Sequence, residues 1–194
     1  VEAPIRTTNG AIALFNLHAH IEGLELQSGQ GRLTSRGGAE LVDLFTLRGQ
    51  ILGRVADYER AAERAEQLAR EFPGDGVAFM ARAKSRASLH RFDEAMADLD
   101  VAERLGLAGP ERDAERAAVL LAVGRYEQAL EIYRAAVEQR RSFETLGALA
   151  VLHAERGEVD QAERFFDESR ARFRGVSPFG LAQRDFQRAH LGLV

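Results

Sequence analysis

The sequence contains no cysteine and no tryptophan, and lysine occurs only once, at Lys84. Without cysteine there is no thiolate nucleophile, no cysteine-bound zinc and no disulfide framework. Apolar runs are short: Ala117–Val123, among the longest, has seven residues, whereas a membrane-spanning helix needs about 20. Basic residues number 26 against 30 acidic ones, and this balance does not favour nucleic acid as the main partner.

The overall composition is that of a globular protein. Of the 194 residues, 45% are hydrophobic and 29% are charged, values typical of folded domains. The length allows one ordinary domain or an array of small repeats. No signal peptide is visible and the chain starts at Val1 without Met. We therefore expect a soluble protein, either cytoplasmic or exported after removal of an N-terminal segment.

Alanines recur at a nearly constant interval along the chain. The four anchoring alanines are separated by 34, 34 and 33 residues: Ala61, Ala95, Ala129 and Ala162. Three residues before each lies Tyr58, Phe92, Tyr126 or Val159. Twelve residues before each lies a small residue: Gly49, Ala83, Ala117 or Ala150. This period predicts a repeat architecture in place of a single closed core.

Each repeat has the pattern of two amphipathic helices joined by a tight turn. Two helices that cross at about 8–10 Å need small side chains at the crossing and large ones around it. In the first repeat, Gly49 and Ala61 serve as the small residues, and Tyr58 fills the space beside them. Gly124 and Gly157 fall in the turns within repeats, where a positive φ favours glycine.

This pattern resembles the tetratricopeptide repeat family. The resemblance implies an all-α fold, a right-handed α-solenoid of helix–turn–helix repeats, here covering 42–75, 76–109, 110–142 and 143–176. Four positions depart from the family pattern: Leu68, Asp113, Val159 and Ser169.

Residues 1–41 precede the first repeat. Asn9 or Gly10 is expected to open a helix that runs to about Leu26, and a polar, Gly-rich connector is expected over 28–38. The helix has an apolar stripe of Leu14, Leu17, Ile21 and Leu24. Two interpretations stay open: it packs on the first repeat, or it enters the concave groove or exchanges with a neighbouring protomer.

Residues 177–194 are expected to form an unpaired helix, the first half of a fifth repeat. Ser177 and Pro178 are a typical helix start. The apolar end of this helix has no polar cap, which a solenoid normally carries. Either more repeats follow in the natural protein or the end binds another chain, including a second copy. The predicted open-end interface consists of Phe186, Leu191 and Leu193.

The sequence offers little chemistry. No nucleophile elbow and no phosphate-binding loop occurs. His18 and Glu22 are i,i+4 neighbours, a spacing that suits zinc, but no third ligand is evident, so no catalytic residue, metal or cofactor is expected. Asp98 and Asp100 lie two apart on a helix, and we interpret them as solvated charges.

In the family the first helix of each repeat lines a concave face where partners bind. The resemblance places these residues there: Asp43, Thr46, Gln50, Arg54, Met80, Lys84, Ser88, Glu111, Ala114, Ala118, Gly147 and Val151. Lys84 and Arg54 are its only strong cations, so a clamp for a terminal carboxylate is disfavoured. Small or apolar side chains in the third and fourth repeats favour a helix or an apolar peptide, or they simply pack against neighbouring helices.

The sequence therefore predicts a non-enzymatic scaffold that binds a protein or peptide, either in the concave groove or at the open C-terminal end. The alternative is an accessory domain of a larger assembly or enzyme, docked through its terminal helices with the groove unused. No nucleic acid and no membrane insertion are expected.

Overall fold

The computed structural model describes residues 5–189. Within these residues, all regular secondary structure is helical and there is no strand. The helices are α1 (Gly10–Gly29), α2 (Ser35–Leu52), α3 (Val55–Glu71), α4 (Gly76–Ser88), α5 (Phe92–Arg104), α6 (Pro110–Ala122), α7 (Tyr126–Gln139), α8 (Phe143–Glu155), α9 (Val159–Ala171) and α10 (Phe179–Ala189). The predicted all-α class is confirmed. Within these residues, none of the helices combines the length and the apolar character needed to cross a membrane.

The chain divides into two compact units. Within the described residues, the N-terminal unit comprises residues 14–119, and the C-terminal unit comprises residues 120–189 with 5–13. In the N-terminal unit, α2 packs on α3, α3 on α4 and α4 on α5, while α2 also packs directly on α4. The first helices of successive helix pairs are therefore neighbours, and their outward faces form one surface.

Helix crossings in the N-terminal unit use small residues as predicted. A Cβ added to Gly49 would lie 2.8 Å from Cε2 of Tyr58, so the backbone of α2 and the ring on α3 are already in contact. Ala61 and Ala95 are buried. Any larger side chain at Gly49 would push these two helices apart.

The Gly-rich connector is shorter than predicted. Helix α1 continues to Gly29, and α2 begins at Ser35, capped by Thr34, whose Oγ1 accepts a hydrogen bond from the Gly37 amide at 3.1 Å. Gly38 is helical and buried, and a Cβ there would overlap Cδ1 of Leu68. The large Leu68, which departs from the family pattern, is accommodated because its neighbour on α2 has no side chain.

In the C-terminal unit, α7 packs on α8 and α8 on α9, and α10 contacts both α8 and α9. Phe166 is buried against Ala150 and Ala162. Ser169, another departure from the family pattern, is fully buried, and its hydroxyl donates to the Phe143 carbonyl at 2.7 Å. The serine is therefore a small residue whose polar atom is satisfied between two helices.

The turns within repeats have the expected backbone. Gly124 and Gly157 have φ of 77° and 73°. The corresponding residue of the preceding turn, His90, adopts φ of 58° without being glycine. Its ring packs edge-to-face on Phe92, with 5.4 Å between centroids. An L-residue in this conformation costs about 1–2 kcal/mol.

Three arginines recur with the 34-residue period. They are Arg48, Arg82 and Arg116, on the successive first helices α2, α4 and α6. Each binds a carboxylate on a second helix. Nε of Arg48 donates to Asp57 at 2.9 Å, and Arg116 binds Asp100 at 2.8 Å.

Arg82 belongs to a larger network. Its guanidinium donates to Asp98 at 2.7 and 2.9 Å and to Glu66 at 3.1 Å. Arg86 donates to the same two carboxylates at 2.8 Å each. Asp98 is only 2% exposed, so its interpretation as a solvated charge is wrong: it lies in the interior because two arginines on α4 balance its charge.

We expect the Arg48–Asp57 pair to account for part of the loss of folding stability at acidic pH. The hydrogen bond from Arg48 lowers the pKa of Asp57, although burial opposes this. The pair therefore contributes stability above the unfolded-state pKa of about 3.9, and this contribution is lost as pH falls through the lower native pKa. We expect urea midpoints to fall more steeply below pH 4 for the wild type than for Asp57→Asn. Parallel curves would contradict this role.

Candidate partner-binding site

The only lysine of the chain lies on α4, on the side toward α2, which the family resemblance predicts to be the inner face of the N-terminal unit. Nζ of Lys84 on α4 donates to Asp43 on α2, at 3.0 Å from Oδ2 and 3.4 Å from Oδ1. Glu111 and Glu115 on α6 also act on Lys84 electrostatically. Three neighbouring first helices thus bring one ammonium and three carboxylates together. We call these four residues the inner-face cluster.

The inner-face cluster has an excess of negative charge. Burial opposes the charge of Lys84, but Asp43, Glu111 and Glu115 together raise the pKa of its ammonium. Burial raises the pKa of Glu115; Lys84 opposes this rise and Asp43 adds to it. One lysine therefore does not neutralise the carboxylates around it.

Other predicted residues of this face are placed differently. Met80 is only 6% exposed and packs with Ala83 and Leu99, so its assignment to a partner-contacting surface is wrong: the side chain belongs to the core between α4 and α5. Arg54 lies in the turn after α2 as the N-cap residue of α3. Gln50 is exposed on α2.

The two predicted hydroxyl groups have partners within their own helices. Thr46 donates to the Val42 carbonyl and Ser88 to the Lys84 carbonyl, each at 3.0 Å. Ala114 and Ala118 are exposed on α6. These four residues thus present small surfaces without a strong charge beside the inner-face cluster.

In the C-terminal unit, helix α10 covers the predicted position Gly147. A Cβ on Gly147 would overlap the guanidinium carbon of Arg184. This guanidinium also lies 5.4 Å from the Phe143 ring centroid, and burial lowers its pKa. Gly147 therefore lies in the contact between α8 and α10, and its assignment as a partner contact is wrong. Val151 is half-buried beside the Phe166 cluster.

Ion pairs attach α10 to α9. Arg188 binds Glu163 and Asp167, the latter at 2.7 Å, and Arg170 binds Asp185 at 2.6 Å. Phe186 is 65% exposed on this helix. Leu191 and Leu193, the rest of the predicted open-end interface, lie outside the described residues.

Four of the five histidines lie within the described residues: His18, His20, His90 and His153. Among residues 5–189, no three potential ligands are grouped so as to hold a metal ion. His153 is buried, stacks on Phe165 with 5.3 Å between centroids, and hydrogen-bonds to Glu158. His153 therefore packs in the interior of the C-terminal unit.

Glu115 is the member of the inner-face cluster that sequence reasoning missed. Its signal was its i,i+4 spacing from Glu111, which places both carboxylates on one face of α6. The 34-residue period alone did not show it, because the corresponding residues are Ala81 and Leu47.

Comparisons with known proteins agree with this architecture. The family model described as tetratricopeptide repeat matches residues 120–178. A thermophilic tetratricopeptide repeat protein of Thermus thermophilus is similar in structure, with a TM-score of 0.70 and 19% identity over 95% of this chain and 94% of that one. No curated protein matches the chain.

Two further solved structures are similar. A tetratricopeptide repeat protein from Parabacteroides merdae has a TM-score of 0.55 and 16% identity over 91% of this chain and 72% of its own. YrrB, a tetratricopeptide repeat protein described as having an unusual peptide-binding site, has a TM-score of 0.50 and 16% identity over 89% of this chain and 84% of its own. The match over residues 120–178 and the shared helical fold show that the chain is similar to tetratricopeptide repeat proteins.

Proposed function

We propose that the protein is a non-enzymatic scaffold that binds a segment of a partner protein on the inner face of its N-terminal unit. The single observation that carries this is the inner-face cluster, in which three neighbouring first helices contribute charged side chains to one surface. The similarity to YrrB, whose description includes a peptide-binding site, supports the class of function. Repeat folds serve many partners, so the charge of this surface is what specifies the ligand.

The partner segment carries positive charge. Asp43, Glu111 and Glu115 outnumber Lys84, so an arginine or lysine of the partner would balance the excess, and complementary charge speeds association and suppresses wrong partners. The exposed Ala114 and Ala118 beside the cluster leave room for the backbone or an apolar side chain of the partner.

Glu115 is expected to lower the stability of the fold and to contribute to partner binding. Because burial raises its native pKa, its contribution to stability is present at acidic pH and is lost as pH rises through that pKa. Above that pKa the carboxylate is ionised and costs stability, so Glu115→Gln should raise the urea midpoint there. The same change should weaken, several-fold, the binding of a fluorescent peptide of alternating Arg and Leu. Fluorescence anisotropy at physiological salt measures this binding.

The matched variant Lys84→Gln should have the opposite effects, because it removes the only ammonium from the inner-face cluster. It should bind the peptide more tightly and have a lower urea midpoint. A control peptide with Glu in place of Arg should bind neither variant. Glu59→Gln, an exposed carboxylate on α3 outside the inner-face cluster, controls for net charge. Equal losses of peptide affinity for Glu115→Gln and Glu59→Gln would contradict binding at the inner-face cluster.

A second candidate function, a docking domain of a larger assembly, has its own supporting observation. Phe186 is largely exposed on α10, a helix that ion pairs attach to α9. Docking there predicts that Phe186→Asp abolishes capture of the natural partner from a cell extract, while Glu115→Gln leaves capture unchanged. The reverse pattern supports the inner face.

A further inference from the structure

Helix α1 is apolar on two opposite faces. Leu17, Ile21 and Leu24 are buried. On the other side of the helix, Phe15 is 71% and Leu26 is 63% exposed. At 100° per residue, these two outer residues lie about 180° from the buried ones. An apolar helix face is normally covered, yet residues 5–189 cover only the first of these two faces.

The outer face has the profile of a helix-packing surface. Ala19 and Gly23 lie between Phe15 and Leu26, and both are exposed. A Cβ on Gly23 would meet nothing within 4 Å. Small residues in the middle let a second helix approach closely, and large ones at both ends close around it. The only ionised side chain on this face is Glu22.

We propose that this outer face of α1 pairs with the same face of a second copy, in an antiparallel arrangement about a two-fold axis. The face is self-complementary, as an isologous interface requires. Phe15 and Leu26 are equidistant from its centre, so a two-fold axis between residues 20 and 21 places Phe15 of each copy on Leu26 of the other. In this register Ala19 of each copy faces Glu22 of the other, and the two Ala19 residues lie on either side of the crossing, about 4.5 Å apart along the helix axis.

The available area favours a weak dimer. The outer face exposes on the order of 500 Å² per copy, so pairing buries about 1,000 Å², the lower limit for a specific interface. We therefore expect a dissociation constant in the micromolar range. This inference is independent of the inner-face cluster, which lies on α2, α4 and α6.

Sedimentation velocity at about 1–200 μM measures the pairing. The wild type should change from monomer to dimer over this range, and Phe15→Asp should weaken association at least tenfold. Val55 is also 71% exposed, at the start of α3, so Val55→Asp is the matched control and should leave association unchanged. Glu22→Gln should strengthen the dimer, because the axis brings two Glu22 carboxylates near each other.

The absence of cysteine allows a geometric test. Ala19→Cys introduces a single thiol at the proposed crossing and should form a disulfide-linked dimer on mild oxidation, whereas Val55→Cys should not. A wild type that stays monomeric at about 200 μM, the top of the range measured, or equal cross-linking of both cysteine variants, would overturn the proposal. Equal weakening by Phe15→Asp and Val55→Asp would also overturn it.

Discussion

Replacing Asp98 with alanine is expected to lower the free energy of unfolding by about 3–5 kcal/mol. Asp98 is buried and accepts hydrogen bonds from both Arg82 and Arg86. Without it, the two largely buried guanidinium groups share Glu66, and Arg86 keeps in addition only a longer contact of 3.8 Å with the exposed Glu94. Removing one partner from a buried ionic network leaves uncompensated charge in the interior, and the cost of this charge exceeds what an exposed pair contributes.

Urea unfolding followed by circular dichroism measures this effect. Asp100→Ala is the matched control on the same helix: Asp100 binds Arg116 but its side chain is half exposed, so its loss should cost less than about 1 kcal/mol. Asp98→Asn, which keeps the shape but removes the charge, should fall between the two. If Asp98→Ala and Asp100→Ala were equally mild, the network would not hold α4 and α5 together.

Leu68→Ala is expected to cost about 2–5 kcal/mol, because it removes a fully buried side chain. Gly38→Ala should also destabilise the wild type, since its new Cβ would collide with Cδ1 of Leu68. In the Leu68→Ala background the closest contact is gone, and the one that remains, Arg64 Nη2 at 3.2 Å, is the end of a flexible side chain that can move aside. Alanine favours the helix over glycine by about 1 kcal/mol. Gly38→Ala should therefore change sign and stabilise that variant.

A double-mutant cycle on urea midpoints tests this coupling. Gly23→Ala is the control: it is also a helical glycine, but a Cβ there meets nothing within 4 Å. It should raise stability by a similar amount in both backgrounds. Additive effects of Gly38→Ala and Leu68→Ala would show that the two residues do not share one space.

The order of the helices could be predicted because it depends on local pattern. The anchoring alanines at 34, 34 and 33 residues and the turn glycines set where helices meet and where they end. Gly49 against Tyr58 and the positive φ of Gly124 followed from these alone. The connector was misjudged because Gly37 and Gly38 have the composition of a loop, while Gly38 is needed for packing.

The candidate site was less predictable. Lys84 was expected to be a cation open to a partner, but it binds Asp43, 41 residues away. Met80 and Gly147 were expected on an accessible face, but one faces the core and the other lies under Arg184. Periodicity identifies the helix face of a residue, whereas its accessibility depends on which side chains of other helices reach it.

The sequence by itself determined the repeat, the all-helical class and the small residues at the crossings, because these follow from spacing along one chain. Only the tertiary structure decided how the charges pair. The recurring Arg48, Arg82 and Arg116 were visible in the sequence, but their partners Asp57, Asp98 and Asp100 were not. Electrostatic energy depends on distance and burial in three dimensions, and a linear pattern contains neither.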